Sequence, residues 1–332
     1  MNKSILLIGG AGYIGPVIAE KLLGDGHKVT ILDNLIYDSR FAMDKLWHSS
    51  DFRFIKGNMG DKEALLRSLN GVEVVVLLAG LVGDPITKKY PEFSKLTNDI
   101  HLQSCIKFLA EMSLNQVIFV STCSNYGLIP DNVIADENYP TSPLSSYAKS
   151  KVEAEELVLK LGSKSHFSPT ILRFATAFGL APRMRFDLSV NEFTKEMYLG
   201  KKVSIFDPDT WRPYCHVKDF AQIIKLVIDA PKEIVVNQVF NAGSEINNCT
   251  KRQLVDLIAE QVPDPKIDFK ENGSDARNYR VDFSKIRETL KFIPQFTLKM
   301  GITEIISGID QGNFDFNSGD INRFGNYSVE TP

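Results

Sequence analysis

The chain has 332 residues, enough for one large core or two closely joined units. Its 38 basic and 41 acidic residues leave a formal net charge of -3, which excludes a global field for nucleic acid or an anionic membrane, so any anion must be held locally. The four cysteines form no Cys-x-x-Cys pair or metal-spaced cluster, no signal pattern precedes the first strand, and the longest apolar run, 74–82, is far shorter than the roughly 20 residues of a membrane span, so a cytoplasmic, metal-free protein is expected.

Ser4-Ile5-Leu6-Leu7-Ile8 reads as a buried strand, and Ile14, Val17, Ile18, Leu22 and Leu23 recur at helical spacing behind it. Between them runs Ile-Gly-Gly-Ala-Gly-Tyr-Ile-Gly, residues 8–15. In such a loop Gly9 makes the tight turn, Gly12 lets a pyrophosphate approach the backbone and Gly15 packs helix on strand, while the helix N-terminus faces the anion. A second strand, 28–32, ends in Asp33, 24 residues after Gly9, near the distance expected for the acid that takes a ribose diol. A carboxylate there repels a 2′-phosphate and the nearest following cation is Arg40, so the cofactor expected is NAD rather than NADP.

Strands follow at 52–57, 72–79, 116–121 and 169–174. Asp61 can cap one intervening helix, Pro91 suits the first turn of a long helix to about Met112, and Ser145 or Ser146 can start another to about Leu161. Alternation of this kind predicts an α/β fold, a doubly wound parallel sheet of the Rossmann type. From Gly179 the pattern loosens into a smaller α+β lobe, with a helix at 190–198, a strand at 203–206, a strand and helix at 214–228 and a strand at 236–242. Thr250 can cap a helix at 251–261, and 298–309 is the last clear helix. The expected division is a dinucleotide-binding domain over 1–178, rejoined by about 214–242, an interleaved substrate lobe over 179–312, and a polar tail or surface strap over 313–332.

Tyr147 and Lys151 lie four apart on a predicted helix, so both project from one face. For a tyrosine to act as a base near neutral pH its pKa of about 10 must fall by roughly 3 units, on the order of 4 kcal/mol, and the Lys151 ammonium with the positive ring of NAD⁺ can supply much of that. Upstream, a strand ends in Phe-Val-Ser-Thr-Cys-Ser-Asn-Tyr-Gly, residues 119–127.

With these residues in place the chain resembles the extended short-chain dehydrogenases/reductases of the nucleotide-sugar epimerase/dehydratase family, UDP-glucose 4-epimerase-like, from Ser4 to about Ile309. The resemblance implies cofactor contacts from Gly9, Gly12, Tyr13, Ile14 and Gly15, from Asp33 and Asn34, from Asn58 and Met59 near adenine, and from Leu78, Ala79 and Gly80 beside the nicotinamide. Asn98, Ser121, Tyr147, Lys151 and Phe174 complete that set. It implies a catalytic triad of Thr122, Tyr147 and Lys151, with Thr122 on the sugar C4 hydroxyl. Substrate contacts fall to Val82, Thr122, Thr176 (where the family has asparagine), Asn191 and the diphosphate clamps Arg212 and Arg277, because a guanidinium fork meets phosphate oxygens bidentately. Arg183 and Arg280 read as salt-bridge residues as readily as ligand contacts, and His216 as structural.

The partner implied is a nucleotide-diphosphate sugar, and relatives commonly dimerise through the helices of 91–112 and of Tyr147, so a homodimer is expected. A 4,6-dehydratase needs an Asp-Glu pair after the threonine, where this chain has Cys123 and Ser124. An epimerase that returns the hydride is favoured. Residues 180–188, the loop 82–85 and Asn-Arg-Phe near the tail also resemble a branch containing nucleotide-heptose 4-dehydrogenases that release the keto sugar. A catalytically silent NAD-binding scaffold is the third reading, disfavoured because Thr122, Tyr147 and Lys151 are all present.

Overall fold

Ser4–Ile8 (β1) has no polar face, so it can only be an inner strand covered on both sides. In the computed structural model, which describes residues 2–271, 273, 277–316, 319–320 and 322–329, that is its place. Positions 317, 318, 321 and 330–332 of the expected tail lie outside the described residues. After β1 come α1 (Gly15–Gly24), β2 (Lys28–Asp33), β3 (Phe52–Lys56), α2 (Lys62–Ser68) and β4 (Val74–Leu77). Then follow α3 (Asp84–Lys89), α4 (Pro91–Ser94), a π-helical stretch Lys95–His101, α5 (Leu102–Ala110), β5 (Gln116–Thr122), α6 (Ser146–Gly162) and β6 (Ser168–Phe174). The second half holds β7 (Thr176–Phe178), α7 (Ser189–Tyr198), β8 (Lys202–Phe206), β9 (Trp211–His216), α8 (Val217–Asp229), α9 (Lys232–Val235) and β10 (Gln238–Ala242). It ends with β11 (Asn248–Thr250), α10 (Lys251–Ala259), β12 (Lys266–Lys270), α11 (Ser284–Leu290) and α12 (Leu298–Asp310).

Seven parallel strands form the main sheet in the order β10-β6-β5-β4-β1-β2-β3. Side chains alternate between its faces as the pleat requires. Ile5, Leu7, Ile31, Val76 and Ile118 enter one core with α1 and α8, whereas Leu6, Ile8, Val75, Leu77 and Phe119 enter another with α2, α5 and α6. The chain leaves β1 toward β2 on one side and re-enters at β4 on the other, and this reversal opens a crevice at the carboxyl ends of β1 and β4.

The capping residues act as expected. Asp61 accepts from the Glu63 amide, Ser145 from Ala148, and Thr250 with Gln253 forms a reciprocal capping box. Four expectations need correction. The helix from Pro91 is interrupted by the π-helical stretch, whose wider turn carries Asn98. β4 stops at Leu77 because Leu78–Gly80 bends toward the glycine loop, with Gly80 at φ +155°. Of the region 214–242, only β10 pairs with the main sheet, beside β6, while α8 covers its face; β9 pairs instead with β7 and β11. The tail is not simply polar: Phe314, Phe316 and Phe324 pack with Phe186, and Val329 is buried against Leu81 and Ile86.

Glu155, on α6 and 4% exposed, joins the elements behind the crevice. It accepts from Ser121 Oγ, from Asn125 Nδ2 at 2.7 Å and from Arg173 Nη2 of β6 at 2.8 Å. Removing one member of a buried pair leaves the other charge uncompensated, so Glu155→Ala should lose about 3–5 kcal/mol of unfolding free energy in urea titration. Exposed Lys149→Ala on the same helix should change it by about 0.5 kcal/mol or less.

Candidate active site

Three glycines of the loop answer to different neighbours. A Cβ on Gly9, at φ +81°, would lie 2.5 Å from Ala79 Cα, and one on Gly15 would lie 2.3 Å from the Gly10 carbonyl oxygen. Both are therefore demanded by the protein's own packing. At Gly12 the nearest atom would be 3.8 Å away, so nothing among the described residues requires a glycine there. The backbone at Gly12 is therefore open to the close approach of a ligand. α1 has no side-chain cap, and residues 12–15 at its start line the same cavity, which leaves amide groups for an anion.

That cavity, of about 670 Å³, occupies the crevice at the switch point. Gly9, Gly12, Tyr13, Ile14, Gly15, Asp33, Asn34, Asn58, Met59, Leu78, Ala79, Gly80, Ser121, Tyr147, Lys151 and Phe174 line it, all of them expected for the cofactor. Val82, Thr122, Thr176, Arg212 and Arg277 line it as well.

Two expected contacts stand behind the wall instead. Asn98 accepts from the Leu81 amide at 2.8 Å and donates to the Leu81 carbonyl at 3.0 Å, pinning the Gly80–Leu81 turn. Asn191, fully buried, donates to Tyr13 Oη and to the Arg185 carbonyl, both at 3.0 Å, and accepts from the Gly179 amide at 3.1 Å. Both amides are spent on holding loops, so they shape the cavity without lining it.

Asp33 accepts from the Ala11 amide at 3.0 Å and from Leu35 at 2.8 Å, which couples it to the glycine loop. Burial raises its pKa, opposed by those two bonds and by Arg183. The charge acting on it is thus Arg183; Arg40 is exposed and lies over Trp47, 6.0 Å from the ring centre.

Thr122, last residue of β5, accepts from the Ser124 amide at 3.1 Å, so its hydroxyl hydrogen is left to donate. Lys151 donates to the Val120 carbonyl at 2.9 Å, and burial pushes its ammonium down to about 8 against the pull of Glu155. Its Nζ lies 6.0 Å from the Tyr147 ring centre. Burial pushes the Tyr147 phenol upward, opposed by Arg185 and Arg277 and reinforced by Asp84. This reverses the direction that a tyrosine base needs: the protein alone stabilises the protonated phenol, and the lowering has to come with a bound positive charge.

Arg212 donates to the carbonyls of Trp211, at 2.7 Å, and Arg277, and its guanidinium lies over the Tyr279 ring. Arg277 pairs with Asp84 at 3.1 Å and reaches Ser124 Oγ at 3.4 Å. His216 is structural, as expected: it caps α8, stacks on Phe296 and meets Glu304 at 2.8 Å, where the carboxyl is held at about 2 despite its burial. Arg280 lies over Trp211, 4.2 Å from the ring centre.

Several lining residues carry no signal in the sequence as contacts: Tyr37, Arg185, Asp187, Tyr279, Asn326 and Tyr327. The repeated cations of Pro-Arg-Met-Arg-Phe-Asp were the available hint. Arg183 is not a surface group and forms no salt bridge among the described residues; it is 1% exposed and bonded to the C-terminal segment.

A parallel sheet with such a cavity at its switch point defines a dinucleotide-binding α/β enzyme. The chain belongs to the NAD dependent epimerase/dehydratase family, whose profile matches residues 5–243. It is similar to a UDP-glucose 4-epimerase of Corynebacterium glutamicum, 27% identical across 88% of this chain and 91% of that protein. It is also similar to an uncharacterised UDP-glucose epimerase of Bacillus subtilis, 29% identical across 91% and 96%. Among solved structures, the fold matches a UDP-glucuronic acid 4-epimerase of Bacillus cereus bound to UDP-glucuronic acid and NAD, with TM-score 0.83, 23% identity and coverage of 93% and 99%. A UDP-glucose 4-epimerase of Thermotoga maritima gives TM-score 0.82 at 25% identity, covering 94% and 100%.

The residues present fit the family's cofactor, since Gly12 is open to a ligand and Asp33 is set beside the loop. Gly12→Ala should therefore leave the thermal midpoint nearly unchanged while weakening NAD binding by about tenfold or more, about 1.4 kcal/mol, in calorimetric titration. Gly15→Ala should fail differently, lowering the thermal midpoint itself.

Proposed function

We propose that this protein is a nucleotide-diphosphate-sugar 4-epimerase, in which Thr122, Tyr147 and Lys151 promote oxidation of the sugar at C4 by bound NAD⁺ and the hydride returns to the opposite face. The observation that carries the reading is convergence: the triad, the glycine loop and two arginines line one cavity. Arg212 and Arg277 hold the diphosphate, which sets the sugar against the ends of β5 and α6. Tyr147 Oη removes the C4 hydroxyl proton while Thr122 Oγ1 donates to the same oxygen. Lys151, charged at neutral pH and fixed by Val120, stabilises the phenolate. When bound, NAD⁺ supplies the hydride acceptor and the positive charge that burial around Tyr147 makes necessary. Cys123 supports the epimerase over a 4,6-dehydratase, because burial pushes its thiol up and it donates to the Arg173 carbonyl, so it cannot stand in for the missing acid.

Relatives named for UDP-sugars make these the first substrates to try, followed by GDP-, CDP- and dTDP-sugars. Product stereochemistry by NMR should show the C4 epimer without any added acceptor. Accumulation of NADH until a keto compound is supplied would assign the 4-dehydrogenase instead.

The reading includes a homodimer through α5 and α6, where Ile100 and Leu144 on the adjoining segments are 55% and 50% exposed. It also includes a cytoplasmic site, supported by four free, buried cysteines. Among the described residues, no helix is long and apolar enough to cross a membrane. Light-scattering mass measurement tests the dimer.

Tyr147→Phe should cut kcat by about 10²–10⁴-fold, the range of a general base, and unchanged turnover on every sugar would sink the assignment. In ultraviolet difference titration the free protein should show no Tyr147 ionisation below about pH 10, and saturating NAD⁺ should bring one phenolate into the range below it that Tyr147→Phe lacks.

A further inference from the structure

Beyond α12 the chain comes back to the cavity. Arg183 Nη2 donates to the carbonyls of Asn322 at 3.0 Å and Gly325 at 2.7 Å and to Asn326 Oδ1 at 3.0 Å. Asn326 Nδ2 reaches the Val82 carbonyl at 3.3 Å, Lys89 Nζ reaches the Tyr327 carbonyl at 3.0 Å, and the Phe186 amide bonds the Phe324 carbonyl at 2.8 Å. The Phe324 ring packs edge-on against Phe314, 5.4 Å between centres. Residues 322–329 thus tie the loop after β4 to the segment 183–187, two walls of the cavity, and Asn326 and Tyr327 line the cavity themselves.

On its other side Arg183 lies over the Tyr37 ring, 4.6 Å from the centre, within electrostatic reach of Asp33. Arg183 Nε and the Tyr37 hydroxyl are buried and have no hydrogen-bond partner among the described residues. Both are donors, and buried donors need acceptors. The phosphate and ribose oxygens of a dinucleotide laid along Gly9–Gly15 and Asp33 are such acceptors. One guanidinium therefore meets the C-terminal segment with Nη2 and keeps, on Nε, a buried N–H with no acceptor among the described residues.

We propose that residues 322–329 form a strap that closes over the bound dinucleotide, latched through Arg183, and that its opening sets the rate of cofactor exchange. The proposal rests on the NAD site described above and adds a gate to it. Phe324 does not line the cavity, so Phe324→Ala loosens the strap without touching the ligand. It should speed NAD release at least tenfold in a stopped-flow chase with excess ADP-ribose. In the reverse test, Lys89→Cys with Tyr327→Cys is joined by a reductant-cleavable bis-maleimide, the four native cysteines being buried. The joined protein should release NAD at least tenfold more slowly, and reductant should restore the rate. Release unchanged in both variants overturns the strap while leaving NAD binding intact. A wild-type protein that binds no NAD overturns the site reading and the strap together.

Discussion

One buried carboxylate organises the chemistry of this fold. Glu155 takes hydrogen bonds from β6 through Arg173, from the end of β5 through Ser121, and from the turn after it through Asn125. It stands on the same helical face as Lys151 and Tyr147, at spacings of four residues. This anchor, together with the bond from Lys151 to the Val120 carbonyl, sets α6 against the ends of β5 and β6, and with it the relation of Tyr147 to Thr122. A carboxylate so placed also faces Lys151 from behind, resisting the loss of its proton that burial favours. Structure and reactivity thus depend on the same two oxygens.

Much of this was legible in the sequence because it is written in local periodicities. The glycine loop lies between a wholly apolar strand and an amphipathic helix, the capping residues precede their helices, and Tyr147 and Lys151 share a helical face by spacing alone. What was not legible depends on contacts between distant segments. Asn98 and Asn191 are amides that could equally hold a ligand or a loop, and only the fold shows their hydrogen bonds spent on Leu81, Gly179 and Arg185. The three-residue strands β7 and β11 are too short to announce themselves, so the separate sheet around β9 could not be foreseen. The direction of the Tyr147 shift is a matter of burial, which no spacing reveals.

The cavity is also balanced in charge more finely than its composition suggests. Arg185 is paired with Asp187 and Arg277 with Asp84, so these two cations of the cavity wall do not act as free charges. The diphosphate proposed to bind at Arg277 would meet a guanidinium already oriented by a carboxylate, which favours geometric fit over bulk attraction. Tyr147 feels the same pairs, lowered by the arginines and raised by Asp84. Its proton affinity is consequently tied to the state of the residues expected to hold the substrate.

β10 pairs with β6 only after the chain has passed through the smaller sheets between them. During synthesis, β6 is an open edge of unpaired N–H and C=O groups until Ala242 has left the ribosome, and such an edge recruits other strands. The nascent chain therefore carries an unfinished sheet through the whole translation of α7, β8, β9 and α8. Its demand for protection in the cell is set by that interval, not by the stability of the finished fold.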